Sequence, residues 1–535
     1  MVLLGLAGAI IFLCKAAMAY DPADFFVEGL EDIYPQFSQF DGVMYAGLLP
    51  IDVAPNKTRG ELMFWLFVPN KPVAPDTLTV WFNGGPGCSS FVGTFFENGP
   101  VTSALYPAGY PKTRIDEPFI VNEWAWTKAT NMLYVEQPAG TGFSWGPVPS
   151  SEADLSQDFY NFMVNFLDTF RFMESKQMFL FGESYAGMYV PSMAHKIHTE
   201  NKIAKKKKRI NLAGIALGNG WMDARVQGPA VIDYAWWHGM IDSTTRHALK
   251  ATWEQCNAGS VPMQPPFHDF TTPDECNVMG AVLQAAGAGI FPDLSPNTYD
   301  VTTWDTYPVV DIGKNPNMKS TYNRFFYDPK VQKALHAPQG AAWHGCMPGA
   351  GRRLEEELPG KLLLVHDKPE SVVPYVAEML DEAGIRVLVY NGDRDMSTCA
   401  QGSEMLLDSM KWSGEATWKT AGRGLWMVKD QVAGYTKSHK GLDFVVVYNS
   451  GHLVPYNVPI PALDLVTRFV TNGTFLDIPL PSFQMPENIG NSNHFPKSIY
   501  SNLVLVIVAA LGFSAGLFVS RCRHRKTGYE QIEMD

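Results

Sequence analysis

The 535-residue chain has no excess of positive charge: 42 Lys and Arg stand against 54 Asp and Glu, a formal net charge of −12. A surface of that sign repels phosphate backbones, which excludes nucleic-acid binding as its main role. The one strong basic run, residues 205–209, is isolated between a helix-like and a strand-like segment and reads as a solvated loop. No internal repeat is present, and a hydrophobic content of 46% with 13% aromatics excludes a disordered chain. Cysteine is scarce, at seven residues, so a small disulfide scaffold is excluded as well. What remains is a large globular protein with ample apolar material for a core.

The two ends are unlike the rest. Residues 1–19 lack a positive leading segment and carry a late Lys15, yet they form an apolar stretch closed by Ala17-Met18-Ala19, a small-x-small pattern. This reads as a signal peptide. Residues 500–520 read as a transmembrane helix, since 502–520 contain no charge and are long enough to cross a bilayer core. The basic cluster that follows marks residues 521–535 as a cytosolic tail. Within it Tyr529–Ile532 ("YEQI") resembles tyrosine-based sorting signals, which bind adaptors. Residues 476–499, rich in Pro, Asn and Ser, read as a stalk. The expectation is a single-pass type I protein with its bulk in a secretory lumen, of trans-Golgi, endosome, vacuole or lysosome, or at the cell surface. In that setting Cys14 and Cys522 drop out, and Cys88, Cys256, Cys276, Cys346 and Cys399 allow two disulfides and one odd thiol. Asn56 and Asn472 head glycosylation acceptor triplets.

Short apolar runs recur at wide intervals over 61–68, 77–82, 131–136, 177–182, 210–217, 385–390 and 444–448. Segments with helical periodicity, such as 155–173, separate several of them. Near-continuous apolar strands alternating with helices predict an α/β fold with a mostly parallel central sheet covered on both faces. The alternation fails over about 222–384, which reads as an inserted, largely helical cap within a domain spanning 20–475.

"FLFGESYAG" places Ser184 between a strand and a helix among small residues, a near match to a nucleophile elbow with Ala186 in place of the second glycine. A plain strand-to-helix turn explains that stretch alone equally well. Acid and histidine candidates follow in the required order: Asp393 and Asp395 after one strand-like run, His452 after the next. All lie at C-terminal strand ends, where open α/β sheets place their sites. The histidine would take the serine proton and return it to the leaving amine, and the aspartate would orient the imidazolium. "WFNGGPGCSS" supplies glycines that let backbone N–H groups approach a reacting carbonyl. Gly85 and Tyr185 are the expected oxyanion donors. No metal or organic cofactor is required by this chemistry.

"WFNGGPGCSS", "EQPAGTGFSW", "GESYAGMYVP", "GNGWMDA", "NGDRD" and "SGHLVPYNVP" together resemble the serine carboxypeptidases, an α/β-hydrolase branch, from about residue 40 to 475. With a membrane span, the layout is similar to the Golgi pheromone-processing subgroup, which trims basic residues from peptide C-termini. The resemblance implies Asp395 as the acid, with Asp393 shaping its loop. It also implies Asn83, Gly84, Glu97 and Glu183 as binders of the substrate's terminal carboxylate, Trp221 as a pocket residue, and the pairs Cys88–Cys346 and Cys256–Cys276. The family's free cysteine falls on Thr398, one residue before Cys399, so the role of Cys399 is left open. No acidic residue dedicated to a basic side chain is recognisable. Two carboxyl groups facing a substrate carboxylate cannot all be ionised, so acidic pH should favour binding. The alternatives are an acyltransferase or esterase on the same scaffold, and a non-catalytic anchored binding protein.

Overall fold

The computed structural model describes residues 20–53, 58–103, 119–204, 209–258, 277–290, 295–304, 324–343, 345–346 and 371–480. The strands are β1 (Gly42–Pro50), β2 (Glu61–Pro69), β3 (Thr77–Phe82), β4 (Val101–Ser103), β5 (Phe119–Val121), β6 (Asn131–Val135) and β7 (Gln177–Glu183). They continue with β8 (Leu212–Gly218), β9 (Arg386–Gly392), β10 (Arg423–Val428), β11 (Gln431–His439), β12 (Leu442–Val447) and β13 (Ile478–Pro479). One large sheet has the order β1-β2-β6-β3-β7-β8-β9-β12-β11-β10-β13. Its centre, β6 through β12 in that order, is parallel. Both flanks are antiparallel.

Because side chains alternate along a strand, each strand feeds both faces. In β2, Leu62, Phe64 and Leu66 join one core, and Met63, Trp65 and Phe67 join the other. The helices used below are α1 (Ser90–Phe96), α2 (Glu152–Thr169), α3 (Ala186–Ile203), α4 (Ala230–Trp237), α5 (Ser243–Ala258), α6 (Val278–Ala285), α7 (Pro329–Ala334), α8 (Val373–Glu378), α9 (Ala400–Ser409) and α10 (Pro459–Val470). The first core is covered by α2, α3, α8 and α9, the second by α1, α7 and α10. Helix α2 shows why its segment is helical. The Ser151 side chain caps its N-terminus, acidic residues fill its first turn, and Leu155, Phe159, Phe162, Met163 and Phe166 form one buried stripe.

Between β8 and β9 the described residues contain helices and no strand. Helices α4 and α6, with Ile241, Met396 and Cys399, build a separate small core, against which Leu249 and Trp253 of α5 pack. Phe325, Phe326, α7 and Trp343 return to the second face of the sheet, and α8 packs on the first. The segment 222–384 therefore divides between an outlying helical cluster and coverage of the sheet, since its aromatic residues find apolar partners there.

At the other boundary, Ile478 and Pro479 pair with β10, so the compact unit runs to Leu480 rather than ending at 475. Residues 481–535 form a second unit that lies outside the described residues, as do the expected signal peptide, Asn56, the basic run at 205–208, and most of the stalk. Among the described residues no helix is long and apolar enough to cross a membrane, and the span expected at 500–520 lies outside them.

Phe64 lies at the crowded centre of the first core, against Phe25, Phe162, Phe166 and Phe170. Phe64→Ala should destabilise residues 20–480 by about 3–5 kcal/mol, read from denaturant unfolding. A loss under about 1 kcal/mol, below even the area contribution of one buried Phe, would mean that this cluster is not central to stability.

Candidate active site

Strand β7 ends in Glu183, helix α3 begins at Ala186, and Ser184 between them has φ of 63°. A side chain there crowds its own backbone, so the turn holds only if its surroundings fix it. Ser184 N–H donates to Gly218 O at 3.1 Å, and Ser184 O accepts from Gly187 N and Trp221 N, both at 2.9 Å. A Cβ at Gly182 would lie 2.8 Å from the Ala186 Cβ, and one at Gly187 would lie 2.5 Å from Trp221 N. The elbow thus uses Gly182 and Gly187 as its small positions, which is why Ala186 is tolerated. Trp221 is buried, and its N–H is what touches the elbow.

Asp395 and His452 stand at the ends of β9 and β12. His452 Nδ1 donates to Asp395 Oδ2 at 2.8 Å, with both residues buried. Asp395 also accepts from Asn219 Nδ2 at 2.7 Å, Ser397 N at 2.9 Å and Thr398 N at 3.3 Å. Thr398 Oγ1 sits 2.8 Å from Asp395 Oδ2 and 2.7 Å from Asn219 O. This shell compensates a buried carboxylate for lost water. Asp393 accepts from Ser450 N at 3.1 Å and so ties the two loops together. Among the described residues, the buried His452 Nε2 has no hydrogen-bond partner, Ser184 included. Such contacts commonly tighten only with substrate bound.

The loop after β3 packs directly on the elbow. A Cβ on Gly84 would fall 2.4 Å from Tyr185 N and 2.8 Å from Ser184 Cβ, so only glycine fits. That approach brings the Gly84–Gly85 backbone beside the Tyr185 amide. Gly85 itself has φ of 114°, a conformation glycine alone adopts readily. The loop is held by Gly87 N–H donating to Tyr189 Oη at 3.1 Å and by the Cys88–Cys346 disulfide.

Beside it lies a cluster of buried polar groups. Asn83 Nδ2 is 2.8 Å from Glu97 Oε1 and 3.4 Å from Glu183 Oε1, and all three residues are buried. Burial pushes both carboxyls up, Glu183 well above the usual range, because the Glu97 charge and then the Asp395 charge add to the effect. The two carboxyls share a hydrogen bond, which requires a proton between them. Among the described residues, no other donor faces Glu97 Oε2. Stability from this proton is present at acidic pH and lost as pH rises through the raised values.

Cys256 is disulfide-bonded, while Cys276 lies outside the described residues. Cys399 is free and buried, its thiol pushed up to about 12 by desolvation, so it is unreactive. Asn472 is exposed at the end of α10. Away from Ser184, His198, Glu378 and Glu382 bring ligand atoms within 4.8 Å of one another. Lys202 Nζ, 2.9 Å from Glu382, already supplies a cation there.

Sequence reasoning missed Asn219 and Thr398 as partners of Asp395. The one available signal was their place in "GNGW" and directly after "GDRDMS", at strand ends. Thr398→Val removes only the hydroxyl, so it should lower kcat about tenfold while leaving the fold intact. Unchanged kcat would show that Asp395 does not depend on it.

A family model described as serine carboxypeptidase matches residues 35–472. The chain is similar to pheromone-processing carboxypeptidase kex1 of Talaromyces stipitatus, 29% identical over 96% of this chain and 85% of that protein. It is also similar to the venom serine carboxypeptidase of Apis mellifera, 30% identical over 81% and 85% of the two. The crystal structure of the prohormone-processing carboxypeptidase Kex1(delta)p from Saccharomyces cerevisiae superposes with a TM-score of 0.69. It is 25% identical, covering 85% of this chain and 96% of that one. The chain belongs to the serine carboxypeptidase family and is a serine-type carboxypeptidase.

Proposed function

We propose that the enzyme releases single residues from peptide C-termini through an acyl-enzyme on Ser184. His452 Nε2 takes the serine proton as Oγ attacks the last peptide carbonyl, and Asp395 stabilises the imidazolium. The Gly85 and Tyr185 N–H groups receive the oxyanion. The proton passes to the leaving amine, and water then cleaves the ester by the same steps in reverse roles.

The observation that carries this reading is the Asn83–Glu97–Glu183 cluster, adjacent in sequence and space to Ser184. A carboxyl pair holding a proton donates a hydrogen bond to an incoming carboxylate, which an ionised pair would repel. Asn83 Nδ2 and the Gly84 N–H add donors. Tight binding of a free C-terminus therefore needs the protonated pair, and the reading includes an acidic optimum. An acidic secretory lumen fits such an enzyme. Membrane attachment through 500–520, adaptor binding at Tyr529–Ile532, glycosylation at Asn56 and Asn472, and the Cys256–Cys276 bridge belong to the same proposal, on the sequence patterns alone.

Hydrolysis of a free-acid peptide should show KM rising about tenfold for each pH unit above the pair's apparent pKa. The same peptide amidated at its C-terminus should be a poor substrate with no such rise, and Ser184→Ala should abolish both activities. Equal pH dependence of KM for the two peptides would remove the assigned role of the carboxyl pair.

A further inference from the structure

Glu136 follows β6 directly and is fully buried, yet no Lys, Arg or His is bonded to it among the described residues. Three donors converge on its carboxyl, two of them from distant parts of the chain. Ser89 Oγ donates to Oε1 at 2.5 Å, Trp343 Nε1 donates to Oε1 at 2.7 Å, and Phe143 N donates to Oε2 at 2.7 Å. Gly142 packs so closely that a Cβ there would overlap the carboxyl, at 1.9 Å from Oε1. An acidic group is retained at this dry position although burial pushes its carboxyl up to about 7. A buried acid of this kind is costly unless its bonds serve some purpose.

What the bonds reach is informative. Ser89 is the N-cap of α1, immediately follows Cys88, and donates its own N–H to Gly345 O at 2.7 Å. Trp343 lies beside Cys346, the other half of the disulfide, and stacks on Phe326 with centroids 4.1 Å apart. The carboxyl and the disulfide are thus two adjacent ties between the same pair of segments. One of those segments is the glycine loop that meets Ser184. A disulfide alone leaves rotation about its own bonds, and a second tie removes that freedom.

We propose that Glu136 is a positioning residue for the oxyanion loop, fixing the Gly84–Gly85 peptide against the elbow by holding Ser89 and Trp343 together. It touches no substrate and acts through the loop. The inference rests on the reading of Gly85 as an oxyanion donor. It assigns the carboxyl a part in transition-state stabilisation and none in binding the substrate's C-terminus, which Asn83, Glu97 and Glu183 handle.

The test separates those two contributions. Glu136→Gln places an amide donor where the site supplies only donors. It should lower kcat roughly ten- to a hundredfold with KM within about twofold. A peptidyl aldehyde that adds to Ser184 should lose affinity by the same factor as kcat. Affinity for a product peptide with a free carboxylate should not change. Unchanged kcat, or equal loss of aldehyde and product affinity, would overturn the proposal. If Glu136→Gln fails to fold, Trp343→Phe, which keeps the ring stack and removes one donor, decides. It should lower kcat about three- to tenfold at constant KM, and unchanged kcat overturns the proposal. Ser184→Ala measured in parallel keeps the outcomes apart: turnover that survives it removes the active-site reading itself, whereas its loss leaves the Glu136 result to be judged alone.

Discussion

Holding Ser184 at a positive φ is the constraint on which the surrounding architecture depends. That conformation costs on the order of 1–3 kcal/mol for a residue with a side chain, and it persists here because three backbone hydrogen bonds and two close packings over-determine it. The parallel sheet supplies the first of these, since β8 lies beside β7 in register and places Gly218 O under the Ser184 amide. The chain after β8 supplies another through Trp221. The glycines at 84, 182 and 187 are needed because each has a neighbour inside the space a Cβ would take. Strand order, helix placement and glycine positions thus meet at one turn.

The same turn sets the distance between two chemistries. Glu183 and Ser184 are consecutive, so one carboxyl of the pair and the nucleophile are joined by a single peptide bond. Under the proposed function, a peptide carboxylate held at the pair would lie next to the nucleophile, as removal of a terminal residue requires. Raised carboxyl values follow from this placement. The pair is buried where the sheet ends, against the Asp395 charge, and cannot move into solvent without unbuilding the elbow. The acidic optimum proposed for the enzyme thus follows from where Glu183 sits in the fold.

Every apolar run read as a strand from the sequence forms one: 61–68, 77–82, 131–136, 177–182, 210–217, 385–390 and 444–448 all fall on β2, β3, β6, β7, β8, β9 or β12. These strands are buried on both faces and carry continuous apolar signals. The outer strands β1, β10, β11 and β13 were not legible. In β1, Gly47 interrupts the run to accept the Phe25 ring, and β10–β11 turn at Lys429 and Asp430, both at positive φ without the glycine or asparagine that marks such hairpins. The elbow, acid and histidine were readable because their chain order carries meaning. Asn219 and Glu136 were not, because each acts on residues far away in sequence, and Thr398, only three residues from Asp395, carries no pattern that marks its hydroxyl as a partner. The odd thiol was foreseen by counting, and Cys399 is the free cysteine. The short pairing of Ile478 and Pro479 with β10 was not legible, because a two-residue edge strand leaves no pattern to read.

Loops that bind or react are usually the mobile parts of a protein, whereas an oxyanion donor works only if it is already in place when charge develops. As the proposed oxyanion loop, 84–87 must satisfy both conditions, and its glycines forgo the side chains that would otherwise pack it down. Its rigidity therefore comes from its flanks. Asn83 is pinned on one side by Trp81 and Gly93. Gly87 is pinned from α3 by Tyr189, which ties the loop to the helix that Ser184 starts. Cys88 and Ser89 are pinned to Cys346, Gly345 and, through Glu136, Trp343. Those last residues belong to the long segment between β8 and β9, which also contributes Tyr299, whose carbonyl accepts the His452 N–H at 2.8 Å and whose ring meets the imidazole edge-on. The excursion from the sheet is therefore part of the active-site framework: it holds the donor loop from one side and the histidine from the other.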